Sequence, residues 1–600
     1  MLLRRCLWFA LALAFALWAV PSHADEEAPV AIVAHIKLTG VLDETPTTID
    51  PLLGIQPENF KSKLERIQAA KKDDKVKALY LQIEGVGIGW GKFHDLQAVL
   101  RDFRQSGKKI YAALDEGTTM DYLIAAACDE VVMPEGGWLL LTGLRAEMSF
   151  YKDLFEKIGL KADMLQMGDF KGAAEPYTRN SMSPELRRQL ELVLDDYYDY
   201  LIGLIAQARQ HKGLTPEKVK QLLDEGPFTA RQALRAGLID RVAYADQFED
   251  AIKADLKAAK LTIQKDYGKK KAKDIDLSNP FALLKLLSTP KEPKLSSKPK
   301  VAVIYATGVI VPGKGGGSLF GGQECGATTI IEAIRKAEAE PTVKALVLRV
   351  DSPGGSALAS DLIWNAVVRC KKPVIASMSD TAASGGYYIS MGCRTIYAEP
   401  GTLTGSIGVV GGKFVTGGTW ELVGVKTEVI NRGRNAGILS PNAPFTDAER
   451  KVMTALMQEI YDQFLDKALA GRKRAGKTMS RADLEKLAGG RIWTGRQAKA
   501  NGLIDELGTL DDAIKAAKQM AGLGADEEVE LYILPKPRTF LDTLLEGADA
   551  SAPPVQPQGM LFGELKAVPE LAGHLRAAAG LLRLRGEPVW MVLPYRFEVK

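Results

Sequence analysis

From residue 343 onward, continuous apolar runs alternate with stretches of helical spacing. VKALVLRV (343–350) is followed by ALASDLIWNAVVRC (357–370), KPVIASMS (372–379), SGGYYISMGC (384–393) and RTIYAEP (394–400). Runs such as VKALVLRV lack the in-out alternation of a half-solvated strand, so they fit a parallel sheet covered on both faces. Their alternation with helical segments predicts right-handed βαβ units, whose ligands bind at the carboxyl ends of the strands. DSPGG (351–355) and DTAASGG (380–386) both fall at such ends.

Comparison of the chain with itself changes this picture from one domain to two. TARQALRAGLID from Thr229 returns as TGRQAKANGLID from Thr494, an offset of 265, and Cys128 matches Cys393 at the same spacing. VKALYLQIEG from Val76 returns as VKALVLRVDS from Val343, an offset of 267. The chain is an internal duplication. The expected organisation is an N-terminal copy over 25–267, a Lys-, Pro- and Ser-rich linker over 268–300 with one apolar patch at Phe281–Leu287, a C-terminal copy over 301–535, and a tail over 536–600. The tail carries a Pro-rich stretch from Ala548 and ends in PVWMVLPYRFEVK, which reads either as a late strand or as a contact with a partner subunit.

The first 24 residues stand apart: Arg4 and Arg5, an apolar run from Cys6 to Val20, then Ser22-His23-Ala24. This reads as an export signal cleaved after Ala24 or as a retained anchor, the run being short for a spanning helix, which needs about 20 residues. Either way the body is expected outside the cytoplasmic membrane. The 600 residues are 46% hydrophobic and 25% charged, a globular composition with more length than one core needs. With 78 Lys and Arg against 74 Asp and Glu, a net charge of +4 gives no basic field for nucleic acid. Without Cys6, the remaining Cys128, Cys325, Cys370 and Cys393 are too few for a disulfide scaffold, and no CxxC spacing points to zinc, so neither metal nor cofactor is expected.

Ser384, opening the helix that runs through GGYYIS, would sit where backbone N–H groups lack partners and the helix dipole favours negative charge. Gly385 N–H, and Gly354 N–H from the facing DSPGG turn, could then converge on an oxyanion. The plainer reading makes Ser384 an N-cap and DSPGG an ordinary turn. ASGG does not match the G-x-S-x-G elbow. Inventory argues against a histidine base: His23, His35, His94, His211 and His574 are the complete set, and none lies in the core of the second copy. Lysine is the alternative base if burial makes it neutral. Lowering its pKa from about 10.4 to near 7 corresponds to roughly 4 to 5 kcal/mol against the ammonium. Ser406 in TGSIG and Ser352 in DSPGG are rival nucleophiles, since both lie in glycine-rich turns of the same copy.

DSPGG, TAASGGYYIS and GTLTGSIGV in the second copy, with MGDFKGAAEPYTRNSMSP in the first, resemble the bacterial signal peptide peptidases (protease IV) of the long, duplicated type. The resemblance implies a tandem crotonase-like, Clp-protease-like α/β fold. It also implies Ser384 as nucleophile and Lys171 as general base, with Gly354 and Gly385 holding the oxyanion. It further implies extended apolar peptides as substrates, signal-peptide remnants at the membrane surface among them, and a tetrameric bowl. Read alone, Lys171 would be a solvated lysine facing Glu175, a pairing of about 0.3–0.5 kcal/mol. The internal comparison agrees with a divided site: the 265 offset sets Thr119 opposite Ser384, and no lysine lies between Ile430 and Arg450, where the second copy aligns with the Lys171 region. EGVGIG, opposite DSPGG, keeps glycines but lacks the proline. Tyr387 and Leu403 are candidate lining residues of a substrate pocket. An acyl-CoA enzyme sharing the oxyanion hole, or an inactive scaffold, are the alternatives, and export argues against the first.

Overall fold

A computed structural model describes residues 30–46, 58–269, 296–315, 324–524, 527–536 and 589–593. The signal or anchor, most of the linker and most of the tail lie outside the described residues. The first copy is built on a parallel sheet in the order Lys260–Gln264, Val30–Val41, Val76–Gly87, Lys109–Leu114, Glu130–Met133, Arg241–Val242. The second repeats it as Glu530–Leu534, Lys300–Thr307, Val343–Ser352, Val374–Ala383, Thr395–Ala398, Glu506–Leu507. The apolar runs read from sequence are therefore its central strands. Along Val343–Ser352 only Lys344 is exposed, as expected for a strand covered by helices on both faces. The chain is a tandem α/β protein with two parallel sheets. Among the described residues no helix is long and apolar enough to cross a membrane.

A third sheet ties the copies together. Lys161–Met167 leaves the first copy's own sheet and pairs antiparallel with Val409–Val415 of the second, in the register Met167↔Val409 to Lys161↔Val415. Antiparallel pairing carries the chain leaving Met167 and the chain arriving at Val409 to the same end of the sheet, so Lys171 and Ser406 are brought together by register alone. Part of the tail is here too: Val589–Val592 is a strand between Gly354–Ser356 and Val409–Val415, antiparallel to both. Of the two readings of the tail, the structure contains the late strand.

A buried polar seam also joins the copies. Arg349, fully buried, donates to Glu44 at 2.5 and 2.9 Å, to Asp95 at 2.5 Å, and to the hydroxyls of Ser377 and Ser379 at 3.0 and 3.1 Å. Glu399 lies 3.8 Å from the same guanidinium, and its carboxyl is pushed well above the usual carboxylate range by burial and by Asp95. One cation thus serves several carboxylates drawn from both copies. Arg349→Leu strands them without it, and removing one partner of a buried pair costs about 3–5 kcal/mol. The expected result is a clear fall in melting temperature by calorimetry, and an unchanged value would show that the seam does not hold the copies together.

Candidate active site

Ser384 stands at the junction of the strand Val374–Ala383 and the helix Gly385–Ser390, with φ 56° and ψ −112°. A non-glycine residue held at positive φ is strained, by about 1–3 kcal/mol, and persists only where its surroundings fix it. Here Ser384 N–H donates to Gly405 O at 2.8 Å, and Ser384 O accepts from Tyr388 N–H at 2.8 Å. Its hydroxyl makes no capping hydrogen bond to the helix, which removes the plain N-cap reading. A positive φ at a strand-to-helix turn is the backbone on which a nucleophile elbow presents its serine, here without the G-x-S-x-G sequence.

The hydroxyl faces a lysine 213 residues away: Lys171 Nζ is 2.8 Å from Ser384 Oγ. The same nitrogen is 2.8 Å from Ser406 Oγ and 3.0 Å from Ser406 O. Lys171 follows Lys161–Met167 and is pinned on its backbone side by the second copy. Phe170 N–H donates to Gly489 O at 2.9 Å, and a Cβ on Gly490, whose φ is 87°, would fall 2.4 Å from Lys171 N. Glycine is therefore required at 490 for the lysine to approach. Glu175 does not pair with Lys171. It accepts from Ser183 N–H at 2.8 Å and Oγ–H at 2.6 Å, so the solvated-lysine reading fails. Burial alone, with no offsetting carboxylate among the described residues, lowers the Lys171 amine from 10.5 to about 7. A neutral amine has two N–H donors for the Ser406 oxygens and a lone pair for the Ser384 hydroxyl proton.

The expected oxyanion donors are placed unequally. Gly385 begins the helix, so its N–H has no partner within it. Gly354 lies against it, since a Cβ on Gly354 would come 2.6 Å from Gly385 N. The Gly354 N–H, however, donates to Ser352 Oγ at 3.1 Å, and that hydroxyl donates in turn to Gly308 O at 2.6 Å. The turn expected to carry the second donor is therefore beside Gly385, with its own N–H directed at a neighbouring hydroxyl in this geometry. The same bonds place Ser352 in the turn's own support. Tyr387 is not a pocket residue, because it is fully buried with its hydroxyl on Leu503 O at 2.9 Å. Leu403 is buried and belongs to the first copy's apolar core, as does Ala383, the residue before the serine.

The first copy contains the arrangement the second lacks. At the equivalent junction Thr118, one residue before the expected Thr119, caps the helix Thr119–Ala126 in a capping box with Asp121. Asp121 accepts from Thr118 N–H at 3.0 Å and from Val86 N–H at 2.7 Å. Backbone donors from two strand ends therefore converge on a resident carboxylate. A group not anticipated from sequence, Lys92, crosses the seam to Asp351 at 2.7 Å and Asp380 at 2.5 Å. Asp351 opens the DSPGG turn and Asp380 lies just before Ser384, so one ammonium from the first copy holds together both strand ends that carry the site. Nothing in local periodicity flags such a residue.

Comparison with known proteins agrees with this architecture. A model of peptidase family S49 matches residues 102–260 and again residues 366–524. The chain is 34% identical over 490 residues to the chloroplastic serine protease SPPA of Arabidopsis thaliana, covering 81% of this chain and 69% of that protein. It is 27% identical over 563 residues to protease 4 of Salmonella typhi, covering 90% and 85%, and 30% identical over 511 residues to protease 4 of Haemophilus influenzae, covering 81% and 78%. These likenesses set aside the acyl-CoA and inactive-scaffold alternatives. Matched once in each of its two copies, the chain belongs to peptidase family S49 and is a serine-type peptidase of the long, internally duplicated protease IV type.

Proposed function

We propose that Ser384 is the nucleophile and Lys171 its general base in the hydrolysis of extended apolar peptides, cleaved signal peptides foremost. The observation that carries this reading is the 2.8 Å approach of Lys171 Nζ to Ser384 Oγ, where neither group meets solvent. In the attack, the Ser384 oxygen bonds to the peptide carbonyl carbon as its proton passes to Nζ. The ammonium then gives that proton to the leaving amine, and water repeats the sequence to release the acyl group. Gly385 N–H meets the oxyanion, joined by Gly354 N–H once it turns from Ser352. Release of an amine suits a base near pH 7, able both to take and to return a proton.

Ser406 differs from Ser384 in having no helix N-terminus behind it. In this reading it orients the amine. The test is hydrolysis of a fluorogenic apolar peptide by Ser384→Ala, Lys171→Met and Ser406→Ala. Ser406→Ala should slow turnover by about tenfold, the worth of one hydrogen bond of roughly 1.4 kcal/mol. Complete loss in Ser406→Ala with activity kept in Ser384→Ala would reverse the assignment. The N-terminal Arg4, Arg5 and apolar run support work on the outer face of the cytoplasmic membrane, where signal-peptide remnants are found. Exposed Trp420, Leu422, Val423 and Ile430 support a homo-oligomer, a tetramer by resemblance.

A further inference from the structure

The strand that carries Ser384 is irregular just before the serine. Val374–Ala383 runs parallel to Val343–Ser352 in the register Leu346↔Val374 to Val350↔Met378, and the next pair is Ser352↔Ala382. The serine strand thus spends four residues, from Met378 to Ala382, where its neighbour spends two, and residues 379–381 bulge opposite Asp351. The two extra residues decide what meets the serine. Unbroken pairing would set Ala382 level with Gly354 and carry Ser384 two residues past it. With the bulge, Ser384 comes level with Gly354, and the two segments close on each other there: a Cβ on Gly386 would fall 2.6 Å from Ser352 O. A shift of two leaves every side chain on its own face, so the alternation of faces does not choose between the registers. Bulges of this kind re-aim side chains beside active sites, and something must hold this one.

The first copy holds it. Lys92 is buried, and its Nζ donates to Asp351 Oδ2 at 2.7 Å and to Asp380 Oδ2 at 2.5 Å, bridging the two strands where their register breaks. The other oxygen of each carboxylate is engaged as well. Asp380 Oδ1 accepts from Lys92 N–H at 3.0 Å, and Asp351 Oδ1 accepts from Thr381 N–H at 3.2 Å, inside the bulge. The helix Trp90–Arg104 starts after Gly89, which has no side chain to cap it, so Asp380 of the second copy caps the first copy's helix. The approach is close: a Cβ on Gly89 would fall 2.3 Å from Asp380 Cγ, and one on Gly91 2.5 Å from Ser379 C. Burial disfavours the Lys92 ammonium, but Asp351 and Asp380 outweigh it and hold its pKa above the ordinary lysine value. Lys92 is thus a fixed cation, the opposite of Lys171, and exchanges no proton near neutral pH.

We propose that Lys92 is a positioning residue for the reaction: by tying Asp351 to Asp380 across the bulge it fixes the register at which Ser384 meets Gly354, so the first copy sets the turnover of the second. The proposal rests on the Ser384 reading above. A misplacement of about 1 Å at the reacting atoms costs on the order of 100-fold, so Lys92→Met in the full chain should lower kcat for the fluorogenic apolar peptide by about tenfold or more, with KM within about twofold of wild type. Labelling of Ser384 by a fluorophosphonate should slow in step. Lys92→Met also strands two carboxylates, so the deciding variant is the triple Lys92→Met, Asp351→Asn, Asp380→Asn. It removes the charges together with the amine and keeps an amide oxygen for each backbone N–H. Its melting temperature should recover from that of Lys92→Met while kcat stays low, and Lys92→Arg, which retains a cation able to bridge, should regain most of kcat. A triple variant with wild-type kcat would reduce Lys92 to a charge partner and overturn the proposal, as would Lys92→Met turning over as fast as wild type. Failure of the Ser384 reading would appear separately, as turnover retained by Ser384→Ala.

Discussion

Ser384→Ala will lower kcat/KM for an apolar peptide by on the order of 10⁴- to 10⁶-fold while leaving a folded protein. The size follows from the chemistry: without the hydroxyl no acyl-enzyme forms, and only binding and the oxyanion donors remain to assist attack by water. The fold should survive because the alanine inherits backbone bonds that do not involve the hydroxyl, Ser384 N–H to Gly405 O and Ser384 O from Tyr388 N–H, both 2.8 Å. The unusual φ of 56° is imposed by those neighbours and remains. Circular dichroism and a melting curve check the fold, and initial rates check the loss. A variant within tenfold of wild type would remove Ser384 from the reaction.

Lys171→Met should be as inactive for practical purposes, with a loss of about 10³-fold or more, yet more stable than wild type. Methionine fills the same apolar passage without an amine to desolvate. The amine's pKa falls from 10.5 to about 7 on folding, a difference worth roughly 4 to 5 kcal/mol against the folded state wherever both states would hold the proton. The sign is fixed by linkage. Between about 7 and 10.5 the unfolded chain binds a proton that the folded chain does not, so wild-type stability from this group rises with pH across that window, and the penalty is complete below it. The variant should therefore melt several degrees higher than wild type at pH 6, with the gap closing toward pH 10. A lower melting temperature at pH 6 would mean that the amine is not the desolvated group described here. Loss of activity joined to gain of stability is the signature of a site residue held at the expense of the fold.

Much of the fold was legible because it is written in local composition. VKALVLRV and KPVIASMS are mostly apolar without in-out alternation, the pattern of a strand covered on both faces. The duplication was legible from repeated strings, and both copies share one strand order. Ser384 was legible as a candidate but not as a nucleophile, since a hydroxyl before two glycines has the same letters whether it caps a helix or faces an amine. Lys171 was legible only through resemblance: its burial depends on the antiparallel pairing of Lys161–Met167 with Val409–Val415, and no periodicity within either segment announces a partner so distant in sequence. The Gly354 N–H depends on which way one peptide plane turns, and here Ser352 decides it. Lys92 and Arg349 were missed for a related reason, because a buried cation is recognisable only once carboxylates from several elements have been assembled around it.

The central claim is that exclusion of water, rather than a neighbouring charge, makes the Lys171 amine a base at neutral pH. The pH dependence of kcat/KM for wild-type hydrolysis of a neutral apolar peptide tests it most directly, since that profile reports the free enzyme's essential groups. The rate should climb tenfold per pH unit on the acid side and level off above about 7, where the amine is uncharged. A profile that climbs only toward about 10, the ordinary range of a solvated lysine, would contradict the account.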